Sequence, residues 1–115
     1  MTYQEVAAMV ASFGLPYAYY QFVQDGTQTG QKPVSPPFCC YYYTRSDDLY
    51  ADNSNYQAIR PLTIELYTDN KDFALEEKVE AALNAHEMPY YKEETYIEAE
   101  RLYMVSYETE AAITN

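Results

Sequence analysis

The residue types able to do covalent or acid–base chemistry are few: one histidine, His86, two adjacent cysteines, Cys39 and Cys40, and short runs of acids. Nucleophilic catalysis needs a Ser, Cys or Thr with a base within hydrogen-bond reach. His86 falls at the end of a predicted helix beside Glu87, where a solvent-facing or capping imidazole is the simpler role. His86-Glu87 lacks the second histidine of a zinc-protease helix, and the cysteines have no spaced partners, so no zinc site is expected. Adjacent strand residues point to opposite faces, which disfavours an intrachain Cys39–Cys40 disulfide and leaves each as a small buried hydrophobe. Asp47, Asp48 and Asp52 offer oxygens but not the spacing, glycine or terminal Glu of an EF-hand loop. Glu93-Glu94 and Glu98 with Glu100 are carboxylate pairs of the kind that acid–base catalysis uses, yet exposed positions on alternating strands account for them. Only three glycines occur, none in a GxGxxG or GxxxxGK string, which removes those phosphate-cradling loops. No catalytic residue, metal ligand or cofactor-binding residue is therefore assigned, and a protein without enzymatic activity is expected.

These side chains must be carried by elements whose patterning is legible. Thr2-x-x-Glu5 fits a capping box, and Val6, Met9, Val10 and Phe13 follow at helical spacing before Gly14 and Pro16. Strands are predicted over 17–23 and 37–44, separated by a polar loop over 24–36 and followed by another over 45–55. Residues 56–68 hold the clearest alternation, Leu62, Ile64 and Leu66 against Thr63, Glu65 and Tyr67, so one face is buried and the other polar. Pro61 cannot donate to a sheet ladder, which places it at a bulge, at the strand start, or with its nitrogen on an open edge. A second helix follows Asp69-Asn70-Lys71-Asp72, with Leu75, Val79, Ala82, Leu83 and His86 on its inner stripe and Glu76, Glu77 and Glu80 on its wet face. After Pro89, residues 90–98 and 101–113 read as a hairpin turning near Glu98-Ala99-Glu100, a helix through Tyr96, Ala99, Leu102 and Tyr103 being the other reading. The last strand, straight, would reach about 43 Å, so it must bend or project. The sum is one domain over 1–115 of α+β class: a mixed or antiparallel sheet of about five strands, two helices on one face, in the order α-β-β-β-α-β-β. Leu62, Ile64, Leu66, Leu75, Val79 and Leu83 form the predicted core.

Tyrosine supplies 15 of the 115 residues and tryptophan none. A Tyr ring buries a large apolar area while its hydroxyl needs a partner or water, so many ring tips must be wet or must meet other chains; the plainer use is in half-buried strands, which Tyr favours. The net charge of −11 argues against nucleic-acid phosphate or anionic lipid as the main partner, because both call for clustered Lys and Arg. Residues 65–110 carry 13 acids against 4 bases, which makes the C-terminal half the acidic one. The start Met1-Thr2-Tyr3-Gln4-Glu5 has no basic and apolar leader pattern, and no apolar run approaches the ~18 residues of a membrane span, so a cytosolic product is expected.

The strings Pro37-Phe38-Cys39-Cys40-Tyr41-Tyr42-Tyr43, Ala51-Asp52-Asn53, Leu62-Thr63-Ile64-Glu65-Leu66-Tyr67-Thr68-Asp69-Asn70-Lys71-Asp72 and Leu75-Glu76-Glu77-Lys78-Val79-Glu80-Ala81-Ala82-Leu83, in this element order, carry a resemblance. The chain resembles small prophage proteins of tail and neck gene clusters in Gram-positive bacteria, and its layout is similar to the tail-terminator (tail-completion) proteins of long-tailed phages. The likeness covers nearly the whole chain and lies in strand and helix strings rather than in an active-site signature. It implies a virion structural subunit that forms a homo-oligomeric ring, a hexamer, capping the tail tube and meeting head-connector proteins. It implies no catalysis and no cofactor, assembly in the bacterial host cytoplasm, and a ring through which DNA passes without specific binding. A head-closure protein or other small connector or adaptor is the alternative, and a small-ligand-binding α+β domain a further one.

Overall fold

The computed structural model describes residues 1–20, 35–44, 49–51 and 54–113. Helix α1 (Tyr3–Ala11) begins as its sequence dictates: Thr2 Oγ1 accepts from the Glu5 N–H at 3.1 Å, and Glu5 Oε1 accepts from the Thr2 N–H at 3.0 Å. It buries Val6, Met9 and Val10, with Phe13 just beyond its end, and the chain then turns away at Gly14, whose φ of +77° suits a residue without Cβ. Helix α2 (Phe73–Ala85) is capped by Asp72, which accepts from the Leu75 N–H at 3.0 Å. It closes with the Met88 N–H donating to the Leu83 carbonyl and the Glu87 N–H to the Asn84 carbonyl, a Schellman arrangement with Glu87 in the left-handed position usually held by glycine.

Among the described residues six strands make the sheet: β1 (Tyr17–Tyr19), β2 (Phe38–Tyr43), β3 (Leu49–Ala51), β4 (Ser54–Thr68), β5 (Tyr91–Ile97) and β6 (Leu102–Ile113). Their order is β1-β2-β4-β6-β5, with β3 pairing the start of β4 off this path. Only β1 and β2 run parallel, so the sheet is mixed and the class is α+β. The observed order gains one strand over the expected one, because Leu49–Ala51 pairs with Ser54–Gln57 inside a segment read as loop. The other expected loop and Val23, Asp47, Asp48 and Asp52 lie largely or wholly outside the described residues. The stretch from Tyr96 to Tyr103 is strand and turn, not helix: Tyr96 pairs Tyr103, and Arg101 takes a φ of +56° to close the reversal.

The register places the alternating apolar residues on one side. Cys39 pairs Leu66, Ile64 pairs Tyr107 and Leu66 pairs Val105. Against them lie Val6, Val10 and Phe13 of the α1 segment and Val79 and Leu83 of α2, all in one buried cluster. Leu62, Ile64, Leu66, Val79 and Leu83 are fully buried as expected, while Leu75 sits half-buried at the margin. Strand β4 starts earlier than predicted and spans 15 residues. Beyond Leu62 it loses β2 and beyond Glu108 strand β6 loses β5, so Ala58–Arg60 and Ala111–Ile113 continue as a two-stranded ribbon. Pro61 sits at that branch point. Its carbonyl accepts from the Thr44 N–H at 3.1 Å, so its nitrogen faces Thr44 and cannot return the second bond of that pair, and β2 ends one residue earlier, at Tyr43.

Two helix positions need correction: His86, read at the end of the inner stripe, is exposed at the C-cap of α2, and Glu76 departs the other way. Glu76, expected on the wet face of α2, is only 3% exposed. Strand β5 runs under α2 and presents Lys92 and Glu94 towards it, so Glu76 points into a charged cluster rather than to water: Oε2 is 2.5 Å from Lys71 Nζ and Oε1 is 2.9 Å from Lys92 Nζ. Lys92 also pairs Glu80 at 2.8 Å, and Lys71 pairs Glu94. Glu77 is exposed as expected, and Glu80 is half-buried, accepting from the Tyr107 hydroxyl at 2.9 Å. No helix among the described residues is long and apolar enough to cross a membrane.

Candidate functional site

With both helices on one side, no helix among the described residues covers the other side of the sheet. Residues of its four longer strands form a regular grid there. Tyr42, Thr63, Glu108 and Tyr91 make one row, Cys40, Glu65, Ser106 and Glu93 the next, and Phe38, Tyr67, Met104 and Thr95 the third. Phe38, Cys40, Thr63 and Ser106 are buried, whereas Glu93, Thr95, Tyr91 and Glu108 are open to solvent. The Phe38 and Tyr67 rings stack with centroids 4.8 Å apart.

Glu65 is the organising group. Its Oε2 accepts from the Tyr42 hydroxyl at 3.1 Å and its Oε1 from the Tyr67 hydroxyl at 2.9 Å, so one carboxylate from the central strand fixes two rings from different strands. Burial pushes the Tyr42 phenol up to about 12, reinforced by the Glu65 charge, and raises Tyr67 for the same two reasons. Both phenols therefore remain protonated donors at neutral pH. Glu65 and Glu93 share one row and Glu108 lies in the next, and none of the twelve grid positions is Lys or Arg. Fixed aromatic area with a uniform negative charge is suited to recognising another macromolecular surface.

The residues singled out from the sequence are dispersed. His86 is exposed as the C-cap of α2, with Glu87 beside it. Cys39 and Cys40 are both buried, reduced thiols on opposite faces, and burial pushes the Cys39 thiol up to about 12, which keeps it in the unreactive protonated form. Glu93 lies on the open grid while Glu94 turns to the helix side and Lys71. Glu98 and Glu100 are exposed in the β5–β6 turn. Among the described residues no group of three or more His, Cys, Asp or Glu is placed to hold a metal ion. The Glu65 brace was half visible, since Thr63, Glu65 and Tyr67 alternate with the core; its partner Tyr42 depends on the β2–β4 register, which sequence does not state.

An alkaline transition follows from the phenols. Burial is the first cause of the upward shift at Tyr41, Tyr42, Tyr43, Tyr67, Tyr90 and Tyr107. Unfolded tyrosine ionises near ~10. A raised native value means that the stabilisation is fully present below that pH and is lost as pH climbs towards the native values. The urea midpoint is expected to fall steadily between about pH 9.5 and about pH 11.5, and Tyr67→Phe to blunt the fall; a midpoint flat through that interval would contradict the burial of these hydroxyls.

A scan of the sequence against protein-family models returns no match, and a search of curated proteins finds no similar sequence.

Proposed function

We propose that this chain is a structural subunit of a phage or prophage virion, a tail terminator or head–tail neck component that assembles into a ring at the end of the tail tube. The observation that carries this reading is the sheet face with its Glu65-braced tyrosines, a surface built from rigid rings on the side opposite the helices of the described residues. It joins the resemblance of the strand and helix strings to tail-terminator proteins. A closed ring needs head-to-tail contacts in which one surface meets a different one on the next copy. The open face supplies the first surface and the helix side the second. Two identical acidic faces do not suit each other, so a face-to-face dimer is disfavoured. An acidic lumen lets DNA pass without adhering, because like charges repel. Assembly takes place in the host cytoplasm and the product resides in the virion.

Charge then controls assembly. Subunits at −11 repel one another, and added salt screens that repulsion. The oligomer fraction is expected to rise with ionic strength and with protein concentration in light scattering, and rings are expected on the ends of isolated tail tubes by electron microscopy. A protein that stays monomeric across those conditions and never decorates a tube end would sink this reading and favour an adaptor.

A further inference from the structure

Strand β5 ends the sheet, and among the described residues no strand pairs its outer edge. Which backbone groups this leaves follows from the register. In an antiparallel ladder a residue turns both its N–H and its C=O to the same neighbour, and successive residues alternate. The Pro61 carbonyl meets Thr44, so the odd-numbered residues of β4 turn to β2, and Glu110, opposite Pro61, turns away from β4. The Ala112 carbonyl, which accepts from the Met1 ammonium at 3.0 Å, fits the same alternation. Carried through the unbroken β5–β6 register, Glu93 and Thr95 bond inward to Ser106 and Met104, while Lys92, Glu94 and Tyr96 turn their N–H and C=O outward. Donors and acceptors thus line one edge, along a strand whose residues from Tyr91 to Tyr96 are all exposed.

The devices that usually protect an edge are weak here. Strand β5 has 7 residues, no proline and no bulge. A lysine on the edge is a common guard, but Lys92 is drawn under α2 by Glu76 at 2.9 Å and Glu80 at 2.8 Å. Glu94 is held by Lys71. Glu93, on the open face, has no cation paired to it among the described residues. On the helix side the edge is bordered by the Phe73 ring, 67% exposed, whose centroid lies 4.9 Å from the Lys71 Nζ that holds Glu94. A strand laid on this edge presents alternate side chains to the two sides. The residue opposite Glu93 stands at a pair not joined by hydrogen bonds, where antiparallel side chains come closest, so charge is read most strongly there. Glu93 repels a carboxylate at that place and attracts Lys or Arg. Side chains on the other side meet Phe73 and Tyr96, whose exposed rings suit apolar neighbours. A second copy is a poorer occupant, since it brings its own charge of −11.

We infer that the outer edge of β5 takes up an extended basic segment of another protein as an added strand, with Lys or Arg on the side of Glu93 and apolar residues on the side of Phe73. Main-chain hydrogen bonds to Lys92, Glu94 and Tyr96 supply the affinity, and the two unlike sides supply the selection. This inference does not rest on the ring-forming role.

The test is an amide-resolved NMR titration of the intact protein, dilute and at low salt, with a capped heptapeptide alternating Lys and Val. The same peptide with its valines N-methylated loses the amides that would bond to the edge, and a Glu and Val peptide reverses the charge. Before peptide is added, the Lys92, Glu94 and Tyr96 amides are expected to exchange with solvent at least about tenfold faster than those of Glu93 and Thr95. The Lys and Val peptide is expected to shift the β5 amides to saturation and to slow exchange at Lys92, Glu94 and Tyr96, with both control peptides at least about tenfold weaker. Glu93→Gln is expected to weaken binding about two- to fivefold. Glu94→Pro removes an outward N–H and no ladder bond, and is expected to weaken it at least about tenfold. If Glu94→Pro alters the fold, the N-methylated peptide decides alone. No saturable shift up to about 2 mM Lys and Val peptide overturns the site. Equal binding of the N-methylated peptide overturns strand addition, and equal binding of the Glu and Val peptide, or unchanged binding by Glu93→Gln, overturns the charge selection. Shifts of the β5 amides that grow with protein concentration alone give the edge to a second copy and overturn the partner.

Discussion

Leu66→Ala is expected to lower the unfolding free energy by about 2–5 kcal/mol, the range for truncating a large aliphatic side chain in a packed core. Leu66 is fully buried, pairs Cys39 on one side and Val105 on the other, and belongs to the cluster that joins both helices to the sheet. Removing its isobutyl group takes away apolar burial and leaves a void that stiff neighbours such as Val105 and Val79 fill poorly. In a chain of this size each kcal/mol moves the melting temperature by roughly 4–8 °C, so the loss is large in a thermal scan. The matched control is Thr95→Ala on the exposed, helix-free face of β5, expected within about 0.5 kcal/mol of the wild type. Denaturant midpoints with unchanged slopes measure both. A cost under about 1 kcal/mol for Leu66→Ala would mean that the helices cover the opposite face of the sheet.

Why the fold was legible, and the surface sites less so, follows from the range of the forces involved. Thr2 and Glu5 cap α1 through contacts three residues apart, and Leu62, Ile64 and Leu66 declare their common face through a period of two. Both signals are local. The arrangement of Tyr42 about Glu65 joins residues 23 apart, and Arg60 reaches Tyr3 across 57. Such contacts depend on register and on which strand neighbours which, so composition announces the tyrosines without saying where they gather. Glu76 shows the limit from the other side: on helical spacing it reads as solvated, and only β5 passing beneath α2 with Lys92 explains its burial. Strand β3 was hidden for a related reason, since its three residues carry too short a pattern to separate strand from loop.

The functional surfaces follow the same division of labour. The helix layer uses the apolar alternation to close one face of the sheet, which leaves the polar alternation of β2, β4, β5 and β6 to write the other. Tyrosine suits that second task, because its ring packs flat while its hydroxyl can be held by a neighbour, as Glu65 holds two. Substituting Glu65 therefore acts on the surface without emptying the core, and separates recognition from stability in the way Leu66 does not.

Removing both cations that face α2, in Lys71→Met/Lys92→Met, is expected to destabilise the protein by about 3–5 kcal/mol, since the Glu76 carboxylate would stay buried with no counter-charge. Lys92→Met alone should cost less, about 1–3 kcal/mol, because Lys92 is partly exposed, solvent screens part of its attraction, and Lys71 still reaches Glu76. Adding Glu76→Leu to the double variant is expected to recover most of the loss: a well-packed apolar side chain in that position avoids the desolvation that the ion cluster must offset. The pH profile carries the sign. Burial raises the Glu80 carboxyl, but Lys92 and the Tyr107 and Tyr90 hydroxyls outweigh it and hold the carboxyl below its usual range. A lowered native value contributes stability above the unfolded value and loses it as pH falls through the native one, so the acid limb of the wild-type profile should flatten in Lys92→Met. Lys92 is held above its usual range by its bonds to Glu80 and Glu76, and Lys71 by Glu76 and Glu94 against the opposing effect of burial. Their contribution is complete below the unfolded lysine value and is lost as pH rises through the native ones, adding to the phenol transition in the alkaline limb. Urea unfolding of the four proteins from about pH 3 to about pH 11 checks both limbs, and a double variant as stable as wild type at neutral pH would show that water, not lysine, neutralises Glu76.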